Sequence, residues 1–216
     1  MKALIINYNR LTLPAAMADW LAENGCEPIF IDNCSTYEPL LEYYHHCPYM
    51  VMHLNRNYGH KVVWTPEATI LQRLGITDRY IVTDPDLDLS AVPSDFLEVL
   101  HEGLNRYPEY KKCGLSLEIN DLPDNPEIRA MRDNCEARYW TEPLDDRYFK
   151  AAIDTTLALH RADARHYFHR PALRTNRPYT ARHVPWYYEG LADLPEDEKF
   201  YFQTAGNSST NKDRIR

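Results

Sequence analysis

Glycine is scarce in this chain, with seven in 216 residues. None of them builds G-x-x-x-x-G-K-[ST] or G-x-G-x-x-G, the loops in which backbone amides cradle phosphates. Nor is there a G-x-S-x-G turn to expose a hydrolase serine. These absences argue against a kinase-type NTPase, a simple dehydrogenase and an α/β-hydrolase. No apolar run approaches the roughly 20 residues that cross a bilayer, so no integral membrane segment is expected. The opening Met1-Lys2-Ala3-Leu4-Ile5-Ile6-Asn7 is too short in apolar length for a secretory signal and reads as a first strand. Cys-x-x-Cys is missing as well. Five cysteines, an odd number, fit reduced thiols and a cytoplasmic location. Cys34, His45, His46 and Cys47 offer zinc-binding atoms, but at a spacing that matches no familiar zinc pattern.

What is present suits a globular protein. Hydrophobic residues make up 44% and charged ones 26%, enough for a real core. The length fits one domain of the larger kind or two small ones. A net charge of -8 argues against nucleic acid as a general partner, although a local basic pocket remains compatible with it.

Hydrophobic patterning orders the first 90 residues as strand, helix, strand, helix, strand, helix, strand. The strands fall at residues 2–7, 28–32, 49–54 and 80–83, the helices at 15–21, 37–44 and 65–74. Such alternation predicts an α/β fold with a mostly parallel sheet flanked by helices. Ligands of these sheets bind beyond the carboxyl ends of the strands. Four polar strand ends, Tyr8-Asn9-Arg10, Asp32-Asn33, 55–60 and 84–88, would therefore line one crevice. Later come a helix over 95–107 capped by Ser94, a fifth strand over 113–119, a surface helix over 126–136, and a sixth strand over 151–159. From 161 to 183 the chain is rich in Arg, His and Pro and reads as an irregular basic loop. A last helix starts at the acids Glu196, Asp197 and Glu198, and residues 206–216 read as a polar tail. Residues 1–90, 91–205 and 206–216 read as two successive halves of one domain and a tail.

The organising stretch is Tyr80-Ile81-Val82-Thr83-Asp84-Pro85-Asp86-Leu87-Asp88. Alternate residues of an extended chain share a face, so Asp84, Asp86 and Asp88 are expected to converge. Converging carboxylates repel, and a divalent cation relieves the repulsion. All three are hard oxygen ligands, which suit Mg²⁺, Mn²⁺ or Ca²⁺. An acidic metal site beside a basic loop fits a substrate carrying a diphosphate, with Arg and His side chains adding charge-assisted bonds.

In order along the chain, Ile5-Ile6-Asn7-Tyr8-Asn9-Arg10, Ile31-Asp32-Asn33-Cys34-Ser35-Thr36, Asn55-x-Asn57-Tyr58-Gly59 and Thr83-Asp84-Pro85-Asp86 resemble the GT-A glycosyltransferases. The likeness is to the small inverting family-2 type, as found in bacterial surface-glycan clusters and in large algal viruses. It covers about residues 1–160. It implies a single GT-A, Rossmann-like domain whose residues 1–90 bind the nucleotide sugar and 91–205 the acceptor, a nucleotide-diphosphosugar donor that is usually UDP-linked, Mn²⁺ or Mg²⁺, and a glycan or glycoprotein acceptor. By position it implies that Tyr8, Asn9, Arg10 and Asp32 meet the base and ribose. Asn57 and His60 would approach the nucleotide, Asp84 the ribose and Asp86 the metal. Asp88 and His183 are further candidate metal ligands. Inverting transfer also needs a base to take the acceptor proton. The candidates are Asp154, Glu189 and the Glu196–Glu198 run, with Glu198 among them; the family context points to that run. An isolated acid at Asp154, entering an apolar strand, is costly without a role or partner. Two other readings stay open. Haloacid-dehalogenase-like phosphotransferases also follow an apolar strand with Asp-x-Asp, and the D-x-D-x-D spacing opens a calcium loop.

Overall fold

The computed structural model describes residues 1–164 and 172–206. Its first part follows the expected alternation: β1 (Lys2–Asn7), α1 (Thr12–Glu23), β2 (Glu27–Asp32), α2 (Glu38–His46), β3 (Met50–His53), α3 (Ile70–Arg73) and β4 (Tyr80–Thr83). There follow β5 (Leu87–Asp88), α4 (Phe96–Arg106), β6 (Lys112–Gly114), β7 (Ser116–Leu117), α5 (Pro126–Met131), β8 (Tyr148–Lys150), β9 (Ala158–His160), β10 (Leu173–Thr175), β11 (Thr180–His183) and α6 (Glu196–Thr204).

Eight strands form one central sheet in the order β3-β2-β1-β4-β9-β6-β10-β8. β1 to β4 are mutually parallel where they pair, and β10 is parallel to β6. Only β9 and β8 run against their neighbours. The fold is therefore mixed α/β, with a mostly parallel sheet flanked by helices. In β1 the side-chain period of two divides the core. Ala3 and Ile5 pack with Met17, Leu21, Leu40, Phe96 and Leu100 on the face of α1, α2 and α4. Leu4 and Ile6 pack with Val62, Ile70, Leu71 and Val82 on the opposite face. Burial on both faces explains why β1, β2 and β4 read as unbroken apolar runs. Each fully buried Leu or Ile contributes roughly 1.5–3 kcal/mol.

Three short strands, β5, β11 and β7, form a second sheet. β11 pairs antiparallel with β5 and parallel with β7. This small sheet carries the end of the Asp run and is decisive for the site.

Several expected boundaries differ. The helix over 65–74 is only α3, because Thr65 is extended ahead of Pro66 and Thr69 takes a left-handed φ of 50°. The fifth strand breaks at Leu115, whose amide donates to Leu157 O, leaving β6 and β7 in different sheets. Gly114 permits this crossing: a Cβ there would lie 2.5 Å from Leu157 O. The sixth strand shortens to β9, and residues 151–157 form a loop. The stretch read as an irregular basic loop contains β10 and β11. Its Arg174 is buried against Glu136 and stacked on Tyr139, so a polar letter occupies a core position. Residues 165–171, with His166, His169 and three of that stretch's other polar or proline positions, lie outside the described residues, as does 207–216 of the tail. Among the described residues no helix is long and apolar enough to cross a membrane.

Candidate active site

β4 ends at Thr83 in the middle of the sheet, and the chain then leaves it. Asp84 N donates to Thr155 O at 2.9 Å, and Asp86 O accepts from Val184 N at 3.0 Å. Leu87 and Asp88 pair with His183 and Arg182. This change of sheet rotates the carboxylates relative to a straight strand. Asp84, Asp86 and Asp88 therefore do not follow one straight strand. Among the described residues, no three His, Cys, Asp or Glu side chains are grouped to hold a metal.

Asp86 is the buried centre, 4% exposed. Its Oδ2 accepts from Arg10 Nη1 at 2.9 Å and lies 3.4 Å from His183 Nε2. Its Oδ1 is buried with no hydrogen-bond partner, as is His183 Nδ1. Burial alone would raise its pKa, but His183 and then Arg10 outweigh burial and hold it well below the usual carboxylate range. Asp84 moves the other way. Burial, and then repulsion from Asp86, push it up to about 7. Asp154 adds a smaller repulsion to the same effect.

Arg10 joins Asp86 to the last helix. Its Nη2 donates to Glu198 Oε2 at 3.1 Å, its Nε lies 2.7 Å from Glu198 Oε1, and its guanidinium stacks 3.7 Å from the Tyr201 ring centroid. Glu198 is 0% exposed. Burial raises its pKa, only partly offset by Arg10. One guanidinium thus serves two carboxylates.

The other candidates fall into three groups. Asn9 is sealed: its Oδ1 accepts from Thr36 N and Tyr37 N at 2.6 and 3.1 Å, and its Nδ2 donates to Thr204 Oγ1 at 2.9 Å. Tyr8 meets Tyr201 edge-on and is half-buried. Arg10 and Asn9 are therefore buried and engaged with protein groups rather than turned outward to a base, as the resemblance implies for them. Asp32 accepts from Ser35 N at 3.3 Å, and its Oδ2 lies 3.3 Å from His53 Nδ1. Beside it, a cavity of about 290 Å³ is lined by His53, Asn55, Tyr58, Thr69 and Arg73. Asn57 and His60 are exposed just beyond, and Asn57 Oδ1 accepts from Gly59 N in a local turn. Asp88 accepts from Ser90 N at 2.8 Å and lies 3.9 Å from Arg182.

Among the base candidates, Asp154 is exposed in a loop and not in a strand, so it pays no burial cost. Glu189 is exposed near β11. Glu198 is bonded to Arg10 and fully buried, unlike the other two. Two further residues from α6 support the site. Tyr201 backs Arg10, and Asp197 caps α1 by accepting from Leu11 N and Thr12 N, both at 2.7 Å. Neither leaves a local signal, since each partner lies more than 180 residues away.

Asp86 and His183 fit a hard divalent cation as two protein ligands. Mg²⁺-type sites commonly take one or two carboxylates and complete the shell with substrate phosphates and water. The unpartnered Asp86 Oδ1 is the observation that carries the fit.

No protein-family model matches this sequence, and no curated protein does. Solved structures do show a likeness. S. aureus TarS in complex with UDP-GlcNAc matches with a TM-score of 0.45 and 11% identity over 74% of this chain and 45% of that one. Glucosyl-3-phosphoglycerate synthase from Mycobacterium tuberculosis, in complex with Mn²⁺ and uridine-diphosphate-glucose, matches with 0.44 and 12% over 75% and 56%. The chain spans about half the length of these structures.

Proposed function

We propose that this chain is a glycosyltransferase moving a sugar from a nucleotide-diphosphosugar, UDP-linked by preference, to a hydroxyl of a glycan or glycoprotein, with inversion. The observation that supports it most is the buried, unpartnered Asp86 Oδ1 beside His183, at the carboxyl end of a central parallel strand. In this reading Asp86 and His183 hold Mn²⁺ or Mg²⁺. Bound there, such an ion neutralises charge on the departing diphosphate.

The remaining roles belong to the rim. The nucleoside lies along the ends of β2 and β3, with its base in the cavity by His53 and Tyr58. Neighbouring strands sit about 4.8 Å apart, so the three steps from β3 to β4 match an extended nucleoside diphosphate. Asp84 accepts from ribose hydroxyls. Asp154 takes the proton of the acceptor hydroxyl as that oxygen attacks the anomeric carbon and the bond to the diphosphate breaks. A positioned base of this kind contributes about 10²–10⁴-fold in rate.

The two other readings gain no support from the geometry. Asp84 follows a strand and not the entering helix of a calcium loop, and that strand is fourth in the chain. The test is a panel of UDP-, GDP- and dTDP-sugars with Mn²⁺, read by thermal shift and by slow donor hydrolysis. Stabilisation by a nucleotide sugar only with metal present supports transfer. Turnover of phenyl phosphate without any nucleotide response contradicts it.

A further inference from the structure

We propose that Glu198 is a positioning residue for the ion site: it holds Arg10 so that the guanidinium orients Asp86 without neutralising it. The inference rests on the transferase reading above, in which Asp86 is an ion ligand.

The geometry is that of a fork shared between two acids. Arg10 donates Nη1 to Asp86 Oδ2 and Nη2 to Glu198 Oε2, and its Nε lies in ion contact with Glu198 Oε1. The planar guanidinium makes these contacts in fixed directions. The Tyr201 ring closes one of its faces. Asp86 is consequently tied through one oxygen, and the other is left free to meet a ligand. Groups bonded to a metal-binding carboxylate commonly set its orientation and its affinity.

Charge explains why an acid is needed behind the arginine. A guanidinium alone beside Asp86 would cancel that carboxylate and repel a divalent cation. Glu198 brings the Arg10–Glu198 pair to zero net charge, so Asp86 keeps its attraction for an ion. Loss of the Glu198 charge leaves Arg10 wholly on Asp86. Orientation and electrostatics then both oppose ion binding. A base has to reach solvent; Glu198 is fully buried, and its use here is the support of Arg10 from a helix 188 positions further on.

The test uses the full chain, with free Mn²⁺ followed by electron paramagnetic resonance during titration in the presence of UDP. Wild type is compared with Glu198→Gln, Glu198→Asp and Asp197→Asn, each checked by circular dichroism and thermal melting. Glu198→Gln is expected to weaken Mn²⁺ binding about 10–100-fold. Glu198→Asp, which keeps the charge on a shorter arm, should fall between it and wild type. Asp197→Asn, on the same helix, should lower the melting temperature and leave the affinity of the folded protein unchanged. Wild-type affinity in folded Glu198→Gln overturns the inference. So does an equal loss in Asp197→Asn, which would reduce the effect to helix docking. Should Glu198→Gln not fold, Glu198→Asp decides, with a loss of about threefold or more expected and wild-type affinity contradicting. Absence of UDP-dependent Mn²⁺ binding in wild type overturns the transferase reading, and the inference with it.

Discussion

Asp197 on the last helix caps the first: its Oδ2 accepts from Thr12 N at 2.7 Å, and its Oδ1 accepts from Thr12 Oγ1 at 3.1 Å. Leu11, at the N-cap of α1, offers no side-chain acceptor of its own. The carboxylate also meets the positive end of the α1 dipole. Replacing it as Asp197→Ala is expected to cost about 2 kcal/mol. Urea unfolding measures this; a loss under about 0.5 kcal/mol would show that α6 docks by other contacts.

Arg10 stands between two buried acids. Arg10→Met leaves Asp86 and Glu198 without their shared cation, at an expected cost of about 3–5 kcal/mol. Denaturant unfolding at neutral pH reads it. A near-neutral result would mean that one of the acids is already protonated in the folded protein.

Gly114 sits where β6 crosses the loop of residues 151–157. A methyl group there would press on Leu157 O at 2.5 Å and on Ala158 Cβ at 2.7 Å, the first of them backbone that cannot swing aside. Gly114→Ala should destabilise by about 1–3 kcal/mol. It should also disturb Thr155, whose carbonyl holds Asp84. Amide exchange at Asp84 is the direct probe, and unchanged protection would contradict the coupling.

Glu118 provides the pH dependence. Burial opposes its ionisation, but the Arg177 guanidinium and the amides of Asn120 and Ile119 prevail and bring it down to about 2. Its ordinary value is 4.5, so between these pH values the unfolded chain binds more protons than the folded one. Stability from this group is fully present above about pH 4.5 and is lost as pH falls toward 2. Much of the pair is solvated, which shrinks its size. Glu118→Gln should therefore be less stable than wild type at pH 7, with the gap closing on acidification. A constant gap across the acid range would refute the assignment.

The sequence made β1 to β4 legible because those strands are buried on both faces and carry apolar residues at nearly every position. Their polar ends were equally plain, and with them Asp84, Asp86 and Asp32. His183 was visible only as a residue type; the small sheet that delivers it to Asp86 was not, because β11 lies among arginines, histidines and prolines. Asp154 looked expensive in a strand and is inexpensive in a loop. Glu198 reads from the sequence as an acid at a helix start and a candidate base. Its burial depends on Arg10, a partner no local pattern reveals, and the same distance hid the closure of Asn9 beneath Thr204. Asp88 lies beyond the point after Thr83 where the chain leaves the central sheet for the small one, a change no local pattern reveals.

The most direct measurement is calorimetric titration of UDP into wild type and Asp86→Asn, each with and without Mn²⁺. Asn keeps the shape of Asp86, and Arg10 retains Glu198, so the fold should hold. The account predicts binding that depends on Mn²⁺ in wild type and falls at least about tenfold in the variant. Equal, metal-dependent affinity in both proteins would contradict it.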